Sequence, residues 1–353
     1  MKQEDYTLEA VELLKKLIAT PSISRQEEKA ADIIEFTLCK YGYKTHRSGN
    51  NIWTLSDHWD HNKKTLLLNA HIDTVKPTTS WTKDPFLPII EDERLYGLGS
   101  NDCGGGLVSL LQIFRLLSEE EQNYNYIYLA SSEEEISGAN GIASVLPLLP
   151  EIDIAIVGEP TGMQPAVAEK GLMVIDLIAH GVSGHAARNE GKNAIYEILD
   201  DLTWIRDYKF KKISDFLGPT KMTVTVVHAG TQHNVIPDEC KALVDIRTNE
   251  FYDNEDVYDF IRKHVSCECK AHSFRLKSSH IDLQHPLIQK CIEMGMQPFG
   301  SPTLSDQALM PFPSFKLGPG NSSRSHSADE YIKIEEIRNA IKQYFLLLNG
   351  AIL

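Results

Sequence analysis

Cysteine is scarce and scattered in this chain. Six of its 353 residues are Cys, at positions 39, 103, 240, 267, 269 and 291. Only Cys267-Glu-Cys269 lie close together, a spacing that fits no common zinc or redox motif. A disulfide framework is therefore not the organising principle, and a reduced cytoplasmic protein is the simple expectation. Positive charge is short as well: 35 Lys and Arg against 49 Asp and Glu leave a formal net charge of -14. Nucleic acid and anionic membranes demand basic surface, so neither is an expected partner. No apolar run approaches the roughly 20 residues that cross a bilayer. The opening Met1-Lys-Gln-Glu-Asp5 carries acids and no apolar core, so no signal peptide is expected. Internal repeats and low-complexity stretches are missing too.

What remains is an ordinary globular balance, 42% hydrophobic and 24% charged, long enough for a full core and for two domains. Leu8 to Ile18 carries a helical apolar stripe that stops before Pro21, and Ser24 with Glu27 reads as a capping box opening a helix to about Lys40. A glycine run, Gly104-Gly-Gly106, leads into an apolar helix from Leu107 to Leu117, with Asp102 just ahead of its N-terminus, where a carboxylate is favoured. From Gly171 the texture changes. The segments 172–178, 222–227 and 240–247 alternate as half-exposed antiparallel strands do, and helical stretches lie near 194–204 and 253–263. After His285-Pro286 come a helix, an apolar segment at Phe315-Lys-Leu317 and a closing helix from Ile334 to Leu348. The expected fold is α/β with a central mixed sheet, built from 1–168 and 280–353 and interrupted by an α+β domain at 169–279.

Three short apolar runs break off into acids or a histidine. Thr65-Leu-Leu-Leu-Asn-Ala70 is followed by His71-Ile-Asp73, Tyr126-Ile-Tyr-Leu-Ala130 by Ser-Ser-Glu133-Glu134-Glu135, and Ile152-Asp-Ile-Ala-Ile-Val157 by Gly158-Glu159-Pro160. Such runs read as buried strands, and ligands collect at the carboxyl ends of strands in open α/β sheets. A fourth polar loop, Leu317 to Glu330, carries His326. Each motif alone has an ordinary reading: Asp102 as a helix cap, Glu133 to Glu135 as a solvated loop, Gly158-Glu159-Pro160 as a turn, His326 as a surface histidine. Together His71, Asp102, Glu135, Glu159 and His326 are a ligand set for two divalent ions of the zinc, cobalt or manganese type sharing one carboxylate. Residues two apart on an extended chain point the same way, so Asp73 is placed to orient His71.

These motifs, in this order and over nearly the whole length, resemble the co-catalytic metallohydrolases of the acetylornithine deacetylase, succinyl-diaminopimelate desuccinylase and glutamate carboxypeptidase family. The resemblance implies that His71, Asp102 and Glu159 hold one ion and Asp102, Glu135 and His326 the other, zinc sites that cobalt or manganese also fit. It implies Glu134 as the general base and Asp73 as the support of His71. It also implies a lid and dimerisation domain at 169–279, whose Gly181-Val-Ser-Gly-His185 segment sends His185 to the partner subunit's oxyanion. Asn234 and Arg247 would hold the substrate, with Gly318 and Gly320 adding backbone donors. A hairpin histidine and an exposed strand arginine are the plain alternatives. One departure stands out: the family commonly has Asp-x-Lys-Gly, where this chain has Asp102-Cys103-Gly104-Gly105.

The expected reaction is hydrolysis of the amide of an Nα-acyl amino acid, with an acyl-ornithine, acetyl or succinyl, favoured among the substrates of arginine biosynthesis. Succinyl-diaminopimelate, acetyl-lysine and dipeptides are the alternatives within the family. A dinuclear phosphoesterase and a non-catalytic binding protein are the alternatives outside it. No phosphate-binding cluster of basic residues accompanies the ligand set, which disfavours the phosphoesterase.

Overall fold

The structure, a computed structural model, describes residues 3–353. Its chain divides into two compact units: one runs up to Val167 and resumes over His280–Phe299 and Ser305–Leu353, and the other comprises Ala168–Ser279 with Gly300–Leu304.

The first unit opens with two amphipathic helices, α1 (Gln3–Ile18) and α2 (Glu28–Lys40), followed by the hairpin strands β1 (Thr45–Ser48) and β2 (Asn51–Leu55). Three strands then form the centre of the sheet: β3 (Thr65–His71), β4 (Asn125–Ser131) and β5 (Ile154–Val157). Helix α3 (Gly105–Leu117) connects β3 to β4. The spatial order is β1-β2-β4-β3-β5. The first two pairings are antiparallel, whereas β3 pairs parallel with both β4 and β5. Every residue of the three central strands is buried. Strands covered on both faces become continuous apolar runs, which is why they stand out in the sequence.

The Ser24–Glu27 capping box does not form. Helix α2 begins at Glu28, and its cap makes no side-chain hydrogen bond. Ser24 donates to Asp73 instead (2.7 Å), and the Glu27 carboxylate, fully buried, accepts from Asn50 and from the Arg25 and Glu133 amides. Tertiary partners have outcompeted the local cap. Asp102 caps nothing either: α3 starts three residues later with Gly104 at its cap.

The second unit is an antiparallel sheet under two helices. Its elements are β6 (Met173–His180), α4 (Ala194–Asp207), β7 (Lys221–Ala229), β8 (Glu239–Arg247), α5 (Asn254–Arg262) and β9 (Glu268–Ala271). The sheet order is β7-β8-β6-β9. One face buries Met173, Ile175 and Leu177 with Ala242, Val244 and Ile246 against Ile198 and Ile205 of α4 and Val257 and Ile261 of α5. Asn193 and Asp253 cap the two helices by accepting the amides two residues on, the ordinary stabilisation of a helix N-terminus.

Back in the first unit, α6 (Pro286–Glu293) leads to β10 (Ser314–Lys316), which lies parallel to β5, and α7 (Ile334–Leu348) closes the chain. Four parallel strands, β4, β3, β5 and β10, therefore end at one edge. His71 ends β3, and the continuations of β4, β5 and β10 carry Glu134, Glu159 and Gly318.

Candidate metal centre

Close packing at glycine brings the remaining acid to that edge. A Cβ on Gly106 would lie 1.6 Å from the Gly158 carbonyl oxygen, so the first turn of α3 sits directly on the end of β5. Asp102, in the turn ahead of α3, is thereby delivered beside Glu159. The Gly104 departure from the family pattern has the same origin. Its amide bonds to the Gly99 carbonyl (3.0 Å), and a Cβ there would come within 2.4 Å of that oxygen and 2.6 Å of Leu14 Cδ1.

The geometry around Asp102 is two-sided. Its Oδ1 lies 3.3 Å from His71 Nε2, and its Oδ2 lies 3.6 Å from His326 Nε2. Glu159 Oε1 and Glu134 Oε2 stand 3.8 and 4.0 Å from His71 Nε2. On the far side, His326 Nε2 is 2.9 Å from Glu135 Oε2. Donor atoms held about 2.0–2.2 Å from a shared ion are separated by distances of this order. Atoms of His71, Asp102 and Glu135 all lie within 4.8 Å of one another, as do atoms of His71, Cys103 and Glu159.

Electrostatics points the same way. Burial, reinforced by Glu159, Asp306 and Glu135, raises the Glu134 carboxyl well above the usual carboxylate range. Burial and the Asp102 charge push Glu159 to about 8. The Glu159 Oε1 atom is buried with no hydrogen-bond partner among the described residues. Burial opposes a charge on His71, but the surrounding acids, Glu134, Asp102 and Asp73 among them, outweigh it and raise the imidazole pKa. Its hydrogen bond to Glu135 lifts His326 to about 9. Four ionised carboxylates would outweigh two protonated imidazoles, so burying the set without cations drives protons onto Glu134 and Glu159. Divalent cations would balance those carboxylates, and the donor set fits a pair of them.

The triple acid divides its labour. Glu133 turns inward at positive φ, 5% exposed, and its carboxylate binds the Asn140 amide and side chain. Glu134 and Glu135 form a short turn whose amides donate to Asp73 Oδ1 and Oδ2 (3.0 and 3.1 Å). Asp73 thus anchors the acids as much as the histidine. His71 Nδ1 is 2.8 Å from the Asp73 backbone carbonyl but 3.5 Å from its carboxylate.

The expected substrate residues stand differently. Gly318 does not offer a free donor, because its amide bonds to Thr161 Oγ1 (3.1 Å) and its carbonyl accepts from Met163 (2.9 Å). Gly320, at φ 91°, lies against the Asn101 side chain. In the second unit His185 pairs with Val235 through an isolated bridge, and its ring accepts from the Ala187 amide. The Arg247 guanidinium makes a two-pronged contact with Asp245 (2.9 and 3.0 Å). Asn234 is exposed and accepts the Ala186 amide through its carbonyl. Sequence reasoning gave no role to two buried acids of the first unit, Asp306 and Glu330, and gave a third, Glu27, the role of a helix cap. Asp306 accepts from Ser131 and Asn69 (2.6 and 2.9 Å), tying together the ends of β4 and β3. Between Ser305 and Gln307 it reads as part of an ordinary polar turn, so residue type gives no signal of its role.

Comparison with known proteins agrees with this architecture. A profile described as Peptidase family M20/M25/M40 matches residues 67–350. A succinyl-diaminopimelate desuccinylase from Wolbachia pipientis is 26% identical, covering 97% of this chain and 95% of its own. An acetylornithine deacetylase from Klebsiella pneumoniae is 29% identical over 93% and 94% of the two chains. Among solved structures, a dinuclear metal-binding peptidase of the M20 family from Bacillus subtilis superposes with a TM-score of 0.73 at 19% identity, over 98% of each chain.

Proposed function

Because this chain belongs to peptidase family M20/M25/M40, a family of amide-bond hydrolases, we propose that it removes the acyl group from an Nα-acyl amino acid with the help of two divalent ions. The observation that carries this reading is Asp102, which turns one oxygen to each imidazole. His71, Asp102 and Glu159 would hold one ion, and Asp102, Glu135 and His326 the other. Held by these residues, divalent ions would supply an acidified water and a polarised acyl carbonyl. Glu134 takes the water's proton on its carboxylate and passes it to the departing amine. Its burial raises the affinity of that carboxyl for the proton it takes. His71 is steadied by Asp73, whose carboxylate also fixes the backbone beneath Glu134.

The chain acts as a homodimer through the unit containing 169–279. Strand β7 is an outer strand of its sheet, with Val226 and Val227 exposed, and α4 exposes Tyr196 and Leu199. Unpaired strand edges flanked by apolar side chains are natural sites of self-association. In that dimer His185 serves the partner subunit's oxyanion, while Arg247 and Asn234 hold the substrate carboxylate. The ions are most simply zinc.

An acyl-ornithine, acetyl or succinyl, is the favoured substrate. Succinyl-diaminopimelate is the second reading, supported by the desuccinylases among the relatives. Initial rates on acetyl- and succinyl-ornithine, succinyl-diaminopimelate, acetyl-lysine and dipeptides, with and without chelator, separate these. Activity on an acyl-ornithine that chelator removes and zinc or cobalt restores is the expected result. Hydrolysis confined to dipeptides would overturn the substrate assignment, and chelator-resistant turnover would overturn the metal mechanism.

A further inference from the structure

The turn that presents Asp102 is not held by its own helix. The amides of Gly99, Asn101 and Asp102 all point inward at one side chain. Glu330 Oε1 accepts from Asn101 and Asp102 (2.8 and 2.9 Å), and Glu330 Oε2 accepts from Gly99 (3.0 Å). Glu330 is 2% exposed, and Ser100 and Asn101 are fully buried. No water can replace such an acceptor, so these three donors depend on the carboxylate. A second link runs in parallel: the Gly97 amide bonds to the Glu330 carbonyl (3.0 Å).

Glu330 lies four residues beyond His326 on the same loop. One short segment therefore supplies an imidazole on one side of Asp102 and the clamp on its backbone. With the amide of Asp102 pinned, the turn itself fixes where its Cβ leaves the backbone, between His71 and His326. We propose that Glu330 is a positioning residue for the dinuclear centre, fixing Asp102 so that its two oxygens face separate ions. The inference rests on the bridging role of Asp102 advanced above. The neighbouring acid has a different job: Asp329 binds the Thr82 side chain and the Thr82 and Lys83 amides on an exposed loop.

The test is cobalt binding to the metal-free full-length protein, read by competition with a chelating dye and by the visible d–d spectrum of the loaded protein. Glu330→Gln keeps the shape but must turn an amide nitrogen toward one of the three donors. Glu330→Ala removes all three bonds. Groups that orient metal ligands typically change affinity by about 10–100-fold when lost. That loss is expected for Glu330→Ala, with a smaller one for Glu330→Gln and an altered spectrum in both. Asp329→Asn is expected to bind as wild type does. Folded Glu330→Gln with wild-type affinity and spectrum would overturn the proposal, even if its melting temperature falls, because a purely structural clamp predicts that pattern. Should Glu330→Ala not fold, Glu330→Gln alone decides. If wild type itself fails to take up two ions, the reading of the centre falls and this proposal with it.

Discussion

The two units treat their chemically important residues in opposite ways. In the first, two candidate ligands, Asp102 and Glu135, and the proposed base Glu134 stand on backbone that a buried carboxylate pins. Asp73 holds the amides of Glu134 and Glu135, Glu27 holds that of Glu133, and Glu330 holds that of Asp102. In the second, His185, Asn234 and Arg247 lie on exposed or half-exposed segments and satisfy themselves locally, Arg247 with Asp245 and the His185 ring with a nearby amide. The contrast is physical. Charge that develops during a reaction is stabilised most by groups that need not reorganise, so the centre is assembled in advance. Groups that recognise a substrate can exchange a local partner for the ligand when it arrives.

The strongest way to sharpen this contrast is to remove the one acid assigned to proton transfer. Glu134→Ala is expected to lower kcat by about 10²–10⁴-fold while metal content, measured on the purified protein, stays at the wild-type value. Metal loss in step with activity would place Glu134 among the ligands instead. Next is His185→Ala, with an expected loss of about 10²–10³-fold in kcat, the usual effect of deleting one oxyanion donor. If His185 works across subunits, mixing Glu134→Ala with His185→Ala chains regenerates one intact site in each mixed dimer. Roughly a quarter of wild-type activity should return, since random pairing makes half the dimers mixed. No recovery after exchange would remove His185 from the mechanism.

Recognition should fail more gently than chemistry. Arg247→Met is expected to raise KM by about 10–100-fold, because a charge-assisted hydrogen bond contributes about 1.5–3 kcal/mol. Kcat should change little, as for any group binding ground state and transition state alike. A substrate whose α-carboxylate is converted to an amide should not distinguish the variant from wild type. If it does, Arg247 acts elsewhere than on that carboxylate.

The same contrast decides what could be read from the sequence. Strands β3, β4 and β5 were legible because burial on both faces removes their polar residues, and the acids following them stood out against that background. Asp102 and His326 were harder. Neither follows a strand, and only the set as a whole made them ligands. The buried acids were illegible: Glu27 looks like half of a capping box until Asp73 claims Ser24, and Glu330 looks like the end of a solvated loop. Apart from Arg25, their partners are amides and side chains distant in sequence, which leave no mark on residue type. Gly318 misled in the opposite sense, since its amide is taken by Thr161.

The mildest perturbation probes how rigid the prebuilt centre is. Gly104 has ordinary helical torsions (φ −56°, ψ −37°), so alanine there meets no backbone strain, and its stiffer chain would favour folding by about 0.4–1 kcal/mol. Against this, the new Cβ would lie 2.4 Å from the Gly99 carbonyl oxygen and 2.6 Å from Leu14 Cδ1. The leucine tip can swing aside, but the carbonyl belongs to the turn that Glu330 clamps. Forcing one carbon into a packed site costs about 1–3 kcal/mol, so the steric effect wins. Gly104→Ala should lower the thermal midpoint by a few degrees, and Gly104→Lys, which restores the family's usual residue, by at least as much because it carries the same Cβ. A calorimetric scan that found either variant unchanged or stabilised would mean the Gly99 turn yields freely. The first unit's centre would then be no more preset than the exposed residues of the second.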